Sequence, residues 1–70
     1  MRRYRVLSGA IRSLGYDEET AVLEVEFRSG SVYDYEGVAP EEVLDLLQSD
    51  SIGRWFGTNI RRKHAARRVA

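Results

Sequence analysis

Alternating apolar and polar side chains predict two β-strands in the middle of the chain. Residues 21–27 are apolar at every second position, and residues 31–36 alternate in the same way. A period of two is typical of strands that bury one face against a core. The apolar positions of the first segment, which are expected to face that core, are Ala21, Leu23, Val25 and Phe27.

The length of the turn between these segments determines which side chains share a face. A two-residue turn would place Val25 opposite Asp34 and bring carboxylates into the apolar row. A three-residue turn at residues 28–30, with Gly30 in the left-handed conformation, places Val25 opposite Tyr33 instead. Because a slip of one residue exchanges the two faces of a strand, only the three-residue turn keeps one face apolar. The sequence therefore predicts a three-residue turn.

A weaker alternation upstream predicts a third strand. Residues 10–16 precede a polar turn at residues 17–20, which would fold this segment antiparallel onto the next strand. Glycine and serine interrupt its pattern, so we expect it at an edge of the sheet. Residues 1–7 form either a short extra strand or a frayed arm, and the sequence leaves both alternatives open.

A proline followed by acids predicts the start of a helix in the second half of the chain. Pro40 precedes Glu41 and Glu42, and acidic side chains stabilise the amino-terminal end of a helix. The apolar stripe of this helix is formed by Val43, Leu44, Leu46 and Leu47. The polar residues 49–51 are expected to end it.

A further apolar stripe predicts a second helix, capped by Ser51 or Asp50. The residues on its buried face are Ile52, Trp55, Phe56, Asn59 and Ile60. Glycine weakens a helix, so Gly53 and Gly57 are expected to allow close packing against the sheet. Residues 63–70 either prolong this helix or are disordered.

These elements predict one small α+β domain. Its fold class is a three-stranded antiparallel β-meander followed by two helices packed on one face of the sheet. A chain of 70 residues is long enough for one domain only. Residues 1–7 are expected to form the arm or extra strand, residues 8–62 the domain, and residues 63–70 a basic tail.

The composition excludes several kinds of site. The chain has no cysteine and one histidine, so it offers neither a disulfide nor a thiolate or paired-histidine metal site. No apolar run approaches the roughly 18 residues of a membrane span, and no signal peptide is recognisable, which predicts a cytoplasmic protein without membrane contact. No nucleophile, base and orienting group stand in a recognisable arrangement. We therefore expect no catalytic residue, no enzyme activity and no cofactor.

Two further groups of side chains are interpreted as ordinary surface. Glu24, Glu26, Asp34 and Glu36 alternate along two strands and predict a solvated sheet face. A metal site is not expected there, because no loop-type ligand spacing accompanies these acids. His64 lies in a basic segment and is expected to be exposed to solvent.

The charges fall into three blocks, although the chain has no net charge. Residues 1–16 contain four arginines and no acid, residues 17–50 contain all eleven acids and one arginine, and residues 51–70 contain six basic residues and no acid. Such segregation favours a charged partner.

The basic residues of the last block are the candidate phosphate contacts. They are Arg54, Arg61, Arg62, Lys63, Arg67 and Arg68, on the outer side of the second helix and in the tail. A merely solvated face, or pairing with the chain's own acids, is the alternative. Tyr33 and Tyr35 are candidate base-stacking contacts, but the predicted register also places them on the helix-covered face, with a hydroxyl at its rim.

Several short motifs follow one another between Ser8 and Arg61. They include Ser13-Leu14-Gly15-Tyr16-Asp17, the strand at residues 23–27, Tyr33-x-Tyr35 with Val38-x-Pro40-Glu41, and Gly53-Arg54-Trp55-Phe56 before Ile60-Arg61. Together they resemble the KTSC domain, a small family named for its occurrence at the C-terminus of some lysyl-tRNA synthetases and also found in free-standing bacterial and phage-associated proteins. The resemblance implies binding to RNA, either tRNA or a single strand, and lends no support to aminoacylation.

Two functional hypotheses are consistent with these observations. The first is a small non-catalytic RNA-binding module whose basic residues contact phosphates. The alternative is a bacterial or phage protein-interaction or self-assembly module, in which separate acidic and basic surfaces dock against a protein partner or a second copy.

Overall fold

Five strands form one antiparallel sheet, in which the strands lie side by side in the order of the sequence. The computed structural model describes residues 2–70, so Met1 of the predicted arm lies outside the described residues. The strands are β1 (Arg2–Arg5), β2 (Ile11–Asp17), β3 (Val22–Phe27), β4 (Val32–Tyr35) and β5 (Ala66–Arg68).

The β3–β4 hairpin has the predicted three-residue turn. Val25 lies opposite Tyr33, and Leu23 lies opposite Tyr35. Gly30 has a φ of 101°, in the left-handed region where a side chain would strain the backbone. The predicted register is therefore confirmed, and both tyrosines lie on the apolar face of the sheet.

The sheet has more strands than the predicted three, and one of the additions changes the position of β2. Residues 2–5 form β1, which was one of the two alternatives for the amino-terminal segment. Because β2 pairs with β1 on one side and with β3 on the other, the prediction that it lies at an edge is wrong. Ser13 is buried in β2 and accepts a hydrogen bond from Arg3 of β1 at 2.7 Å, so its polar side chain is satisfied inside the sheet.

The carboxy-terminal segment forms the other edge of the sheet as β5. Both predicted alternatives, a longer helix and disorder, are wrong for residues 66–68. Arg68 lies opposite Tyr33, and Ala66 lies opposite Tyr35. The physical reason is the free edge of β4, whose backbone groups gain hydrogen-bond partners from β5. β5 has only three residues, and all of them are exposed. Its sequence therefore lacks the alternation of apolar and polar residues that identifies a half-buried strand.

Two helices and a π-turn connect β4 to β5. They are α1 (Pro40–Gln48), α2 (Ile52–Phe56) and the π-turn (Gly57–Arg61). The predicted helix start at Pro40 is confirmed. The predicted cap at Ser51 is also confirmed, because its Oγ accepts a hydrogen bond from the backbone N–H of Arg54 at 3.4 Å.

The two glycines of this region have different surroundings. A Cβ at Gly53 would lie 3.4 Å from the Oγ of Ser8, which belongs to the connection between β1 and β2. A Cβ at Gly57 would meet no atom within 4 Å among the described residues outside its own helix. The prediction of close packing against the sheet is therefore wrong at Gly57, and at Gly53 the close neighbour is a loop.

The core lies between the sheet and the helices. Its fully buried side chains are Ile11, Leu14, Leu23, Val25, Val38, Leu46 and Ile60. They come from β2, β3, the loop before α1, α1 itself and the π-turn, so the helical segments pack on one face of the sheet, as predicted. The α+β class with an antiparallel sheet and two helices is confirmed.

Candidate nucleic-acid interface

An aromatic groove lies where the β3–β4 hairpin meets the π-turn and β5, and its volume is about 460 Å³. The residues that line it are Phe27, Ser29, Ser31, Tyr33, Tyr35, Arg61 and Ala66. The groove thus combines aromatic rings, hydroxyl groups and a guanidinium group. These are the groups with which proteins contact unpaired bases, sugars and phosphates.

The two tyrosines of the Tyr-x-Tyr motif contribute differently to this groove. Tyr35 is 3% exposed, and its ring packs edge-on against Phe56 with the centroids 5.1 Å apart. Tyr33 is half-buried and packs edge-on against Phe27 at 6.0 Å. Tyr35 is therefore part of the core, whereas the ring of Tyr33 is partly open to the groove.

Two of the predicted basic residues flank the aromatic groove. Arg61 ends the π-turn and lines the groove directly. Burial raises the pKa of the Tyr35 hydroxyl, and the positive charge of Arg61 offsets part of this rise. Arg68 lies opposite Tyr33 and therefore on the same face of the sheet. Its Nε donates a hydrogen bond to the carbonyl oxygen of Ala70 at 3.2 Å.

Three further basic residues lie on the helical segments and after them. Arg54 is in α2, and Arg62 and Lys63 follow the π-turn, and all three are exposed. Arg54 also lines a second groove, of about 270 Å³, beside Trp55 and Thr58. The positive surface thus extends beyond the aromatic groove.

Arg67 lies on the opposite face of the sheet. It is placed opposite Asp34 in β4, and its Nη2 is 3.5 Å from the Oδ2 of that residue. Successive residues of a strand point to opposite faces, so Arg67 and Arg68 are separated although they are neighbours in sequence. The structure therefore removes Arg67 from the surface that contains Arg61 and Arg68.

The outer face of the sheet is a network of paired charges. Arg3 forms an ion pair with Glu24. The hydroxyl of Ser13 donates a hydrogen bond to the Oε1 of Glu26 at 2.7 Å. Asp34 is 9% exposed, and within the described part of the chain its buried Oδ1 has no hydrogen-bond partner. The prediction of a solvated face is therefore wrong for Asp34.

The pairing of β3 with β4 places two carboxyl groups together on this face. Glu24 lies opposite Asp34. Burial raises the pKa of the Glu24 carboxyl and Asp34 raises it further, whereas Arg3 has a smaller lowering effect. A protonated Glu24 would be able to donate a hydrogen bond to the neighbouring carboxylate of Asp34. The stability that comes from this proton is fully present below the ordinary pKa of a glutamate, and it is lost as the pH rises through the raised pKa.

Glu24→Gln is expected to stabilise the protein at neutral pH, because the amide donates to Asp34 at every pH and its oxygen still accepts from Arg3. The free energy of unfolding, measured by urea denaturation, should rise by roughly 0.5–1 kcal/mol. This gain should disappear near about pH 4, where the wild-type carboxyl carries its proton. Glu26→Gln is the control, because its carboxylate accepts from Ser13 and faces no second carboxyl. An equal gain in the control would contradict the prediction.

His64 is mostly buried, so the prediction that it is exposed is wrong. Its side chain is 13% exposed. Its Nδ1 lies 2.9 Å from the carbonyl oxygen of Glu36, and its Nε2 lies 2.8 Å from the Oε2 of Glu42. Burial opposes ionisation of Glu42, but hydrogen bonds from the Ala39 N–H and from His64 hold the pKa of Glu42 below its usual value. These contacts hold the segment before β5 against α1. This arrangement positions β5 beside β4.

Sequence reasoning missed part of the groove lining. Ser29 and Ser31 belong to the hairpin turn, and Phe27 ends β3. The predicted register already placed Phe27 on the same face of the sheet as Tyr33. This was the feature of the sequence from which its position beside Tyr33 could have been predicted. The position of Arg61 above this face depends on the reversal of the chain between α2 and β5, which no local pattern shows.

Within residues 2–70, no helix is long and apolar enough to cross a membrane. In the same range, no group of three or more His, Asp or Glu side chains is placed to hold a metal ion.

Both the sequence and the fold are similar to those of known proteins. A protein of Stutzerimonas stutzeri (strain A1501) is 50% identical over 64 residues, which are 91% of this chain and 90% of that protein. A lysine–tRNA ligase of Nostoc punctiforme is 40% identical over 53 residues, which are 76% of this chain but only 9% of the ligase. The crystal structure of a KTSC domain protein from Yersinia pestis has a TM-score of 0.93 at 33% identity, and the match covers 99% of this chain and 97% of that one.

The match to a family extends over most of the chain. Residues 7–64 match the KTSC domain, and this range includes all of β2, β3, β4, both helices and the π-turn. The family that the short motifs suggested is thus supported by the whole sequence and by the fold. The chain belongs to the KTSC domain family.

Proposed function

We propose that this chain is a small, non-catalytic RNA-binding module of the cytoplasm that holds an unpaired stretch of RNA in the aromatic groove. The observation that carries the proposal is the position of Arg61 and Arg68 beside the partly open ring of Tyr33. Basic side chains next to an accessible aromatic ring are the usual means by which proteins bind single strands.

The aromatic part of the groove provides a surface for one base. Tyr33 is half-buried, so one part of its ring is held by Phe27 and the rest is free to stack. Its centroid is 6.5 Å from that of Tyr35, which lies beside it on the same face of β4 and is fixed in the core. A ring that is held in place loses little conformational entropy when a base stacks on it.

The basic part of the groove provides contacts for phosphates. Arg61 lines the groove, and Arg68 stands on β5 opposite Tyr33, on the same face of the sheet. Arginine presents a planar set of donors that matches two phosphate oxygens. Further phosphates of the same strand would meet exposed Arg54, Arg62 and Lys63.

A single strand fits this surface better than a duplex. The bases of a duplex are stacked on one another and cannot reach an aromatic ring in a groove. The lysine–tRNA ligase among the related proteins supports tRNA, whose loops and end are unpaired, as one source of such a strand.

Fluorescence anisotropy with a short labelled single-stranded RNA tests the proposal. Between about 25 and 250 mM salt, the logarithm of the association constant should fall linearly with the logarithm of the salt concentration. Three to five phosphate contacts predict a slope of about −2 to −3.5 for a single strand. Folded tRNA should compete with the labelled strand, and a blunt RNA duplex should compete poorly. No binding at the lowest salt by protein shown to be folded would overturn the proposal.

A further inference from the structure

A third groove, chemically different from the aromatic groove, lies between α1 and the first two strands. Its volume is about 380 Å³, and its lining is mostly apolar, with Tyr4, Tyr16, Val43 and Leu47. Leu44 also lines it and is 57% exposed. We call this feature the acidic groove, because of the charges around it.

Acidic residues surround this groove. Glu18 lines it, and none of the described side chains that line it is basic. Burial raises the pKa of the Tyr16 hydroxyl, and the carboxylates of Glu18, Glu41, Glu42 and Asp17 raise it further. The groove therefore combines an apolar floor with a negative potential. A surface that is complementary to it would present an apolar side chain surrounded by arginines.

The chain itself carries such a complement in the loop between β1 and β2. Leu7 is 97% exposed. Arg5 and Arg28 are exposed on either side of the loop, and the Nε of Arg28 donates a hydrogen bond to the carbonyl oxygen of Ser8 at 2.7 Å. Arg12, at the start of β2, is also half-exposed, and its Nη1 lies 3.8 Å from the Oε2 of Glu26. We call residues 6–10 the Leu7 loop.

The Leu7 loop does not occupy the acidic groove of its own molecule. The loop precedes Ile11, the first residue of β2, and the groove extends from Tyr4 on β1 to Tyr16, near the end of β2. Leu7 is 97% exposed, so its side chain leaves the groove of the same molecule open.

We propose that the chain associates head to tail, with Leu7 of one copy seated in the acidic groove of the next. The apolar floor receives the leucine, and Glu18 and Glu41 face the arginines that surround it. Charge complementarity on both sides of the contact identifies a second copy as the occupant. Because the two contacting surfaces differ, each added copy leaves one free loop and one free groove, and the assembly grows or closes into a ring.

Sedimentation equilibrium from micromolar to millimolar protein tests this proposal. The average mass of the wild-type protein should rise with concentration at low salt and fall toward that of the monomer at about 0.5 M salt, where exposed charges are screened. Leu7→Gln and Leu44→Gln should each weaken association at least about tenfold. Both side chains are exposed, so circular dichroism should show folded protein in both variants.

Mixing the two variants provides the decisive control. Leu7→Gln retains an intact groove and Leu44→Gln retains an intact loop, so an equimolar mixture should form a one-to-one dimer that neither variant forms alone. This result is specific to a head-to-tail contact. A mixture that associates no better than its components would overturn the proposal. So would a wild-type protein that stays monomeric over the whole concentration range, since the groove would then receive another partner.

Discussion

Replacing Arg61 and Arg68 together with alanine is expected to weaken binding of single-stranded RNA by about 30- to 100-fold at low salt. Each guanidinium stands on the groove side of the sheet, and each can form charge-assisted hydrogen bonds with a phosphate. A loss of roughly 1–1.4 kcal/mol for each contact corresponds to this factor. Anisotropy titrations over a range of salt should also give a slope that is shallower by about 1.4, because two phosphate contacts are lost.

Arg67→Ala is the matched control for this prediction. Arg67 has the same charge as Arg68 and is its neighbour in β5, but it lies on the other face of the sheet beside Asp34. Its side chain is 70% exposed, so alanine at this position leaves the core intact. The affinity of this variant should remain within about twofold of the wild-type value. Equal losses from Arg67→Ala and Arg68→Ala would contradict the aromatic groove as the binding site.

Phe56→Ala is expected to remove most of the stability of the domain. Phe56 is 3% exposed, and its ring lies 5.1 Å from Tyr35 and 5.8 Å from Phe27, so it joins α2 to the strands that form the aromatic groove. Truncating a buried phenylalanine costs about 3–5 kcal/mol. A domain of this size has only roughly 4–10 kcal/mol of stability. Thermal denaturation should show a fall in Tm of about 15 °C or more.

Leu44→Ala is the control for the loss of an apolar side chain from a helix. Leu44 is 57% exposed on α1, so its truncation creates no cavity. The free energy of unfolding should change by no more than about 0.5 kcal/mol. If Phe56→Ala changed the Tm as little as Leu44→Ala does, the aromatic cluster would not hold α2 against the sheet.

The elements that could be predicted from sequence are those with a strong local signal. The period of two along β3 and β4 identified both strands, and the three-residue turn followed from the need to keep carboxylates away from Val25 and Tyr33. Pro40 and Ser51 marked the starts of the two helices. In each case, residues close in sequence carry the interaction that determines the structure.

The elements that could not be predicted depend on distant partners. β5 consists of three exposed residues, and it is a strand because β4 offers it a free edge. His64 is buried because its ring nitrogens contact the carbonyl oxygen of Glu36 and the carboxylate of Glu42, which are far away in sequence. A basic segment with one histidine shows no local sign of either contact.

The same distinction between local sequence patterns and contacts with distant residues applies to the candidate site. The sequence identified Tyr33, Arg61 and Arg68 as candidates, but it placed Arg67 with them in one basic tail. Strand formation separates Arg67 from Arg68, because consecutive side chains of a strand point to opposite faces. Which basic residues share a surface with the aromatic rings is therefore a consequence of β5.

The sequence by itself determined the family, the α+β class, the register of the central hairpin and the segregation of charge along the chain. These depend on composition, on residue order and on local periodicity, which are present before the chain folds. Only the tertiary structure decided that the carboxy-terminal segment is the fifth strand, that Arg61 lines the groove of Tyr33, and that Arg68 but not Arg67 lies opposite Tyr33 in the sheet. Those arrangements depend on unpaired strand edges and on contacts between residues far apart in sequence, and these exist only after the chain has folded back on itself.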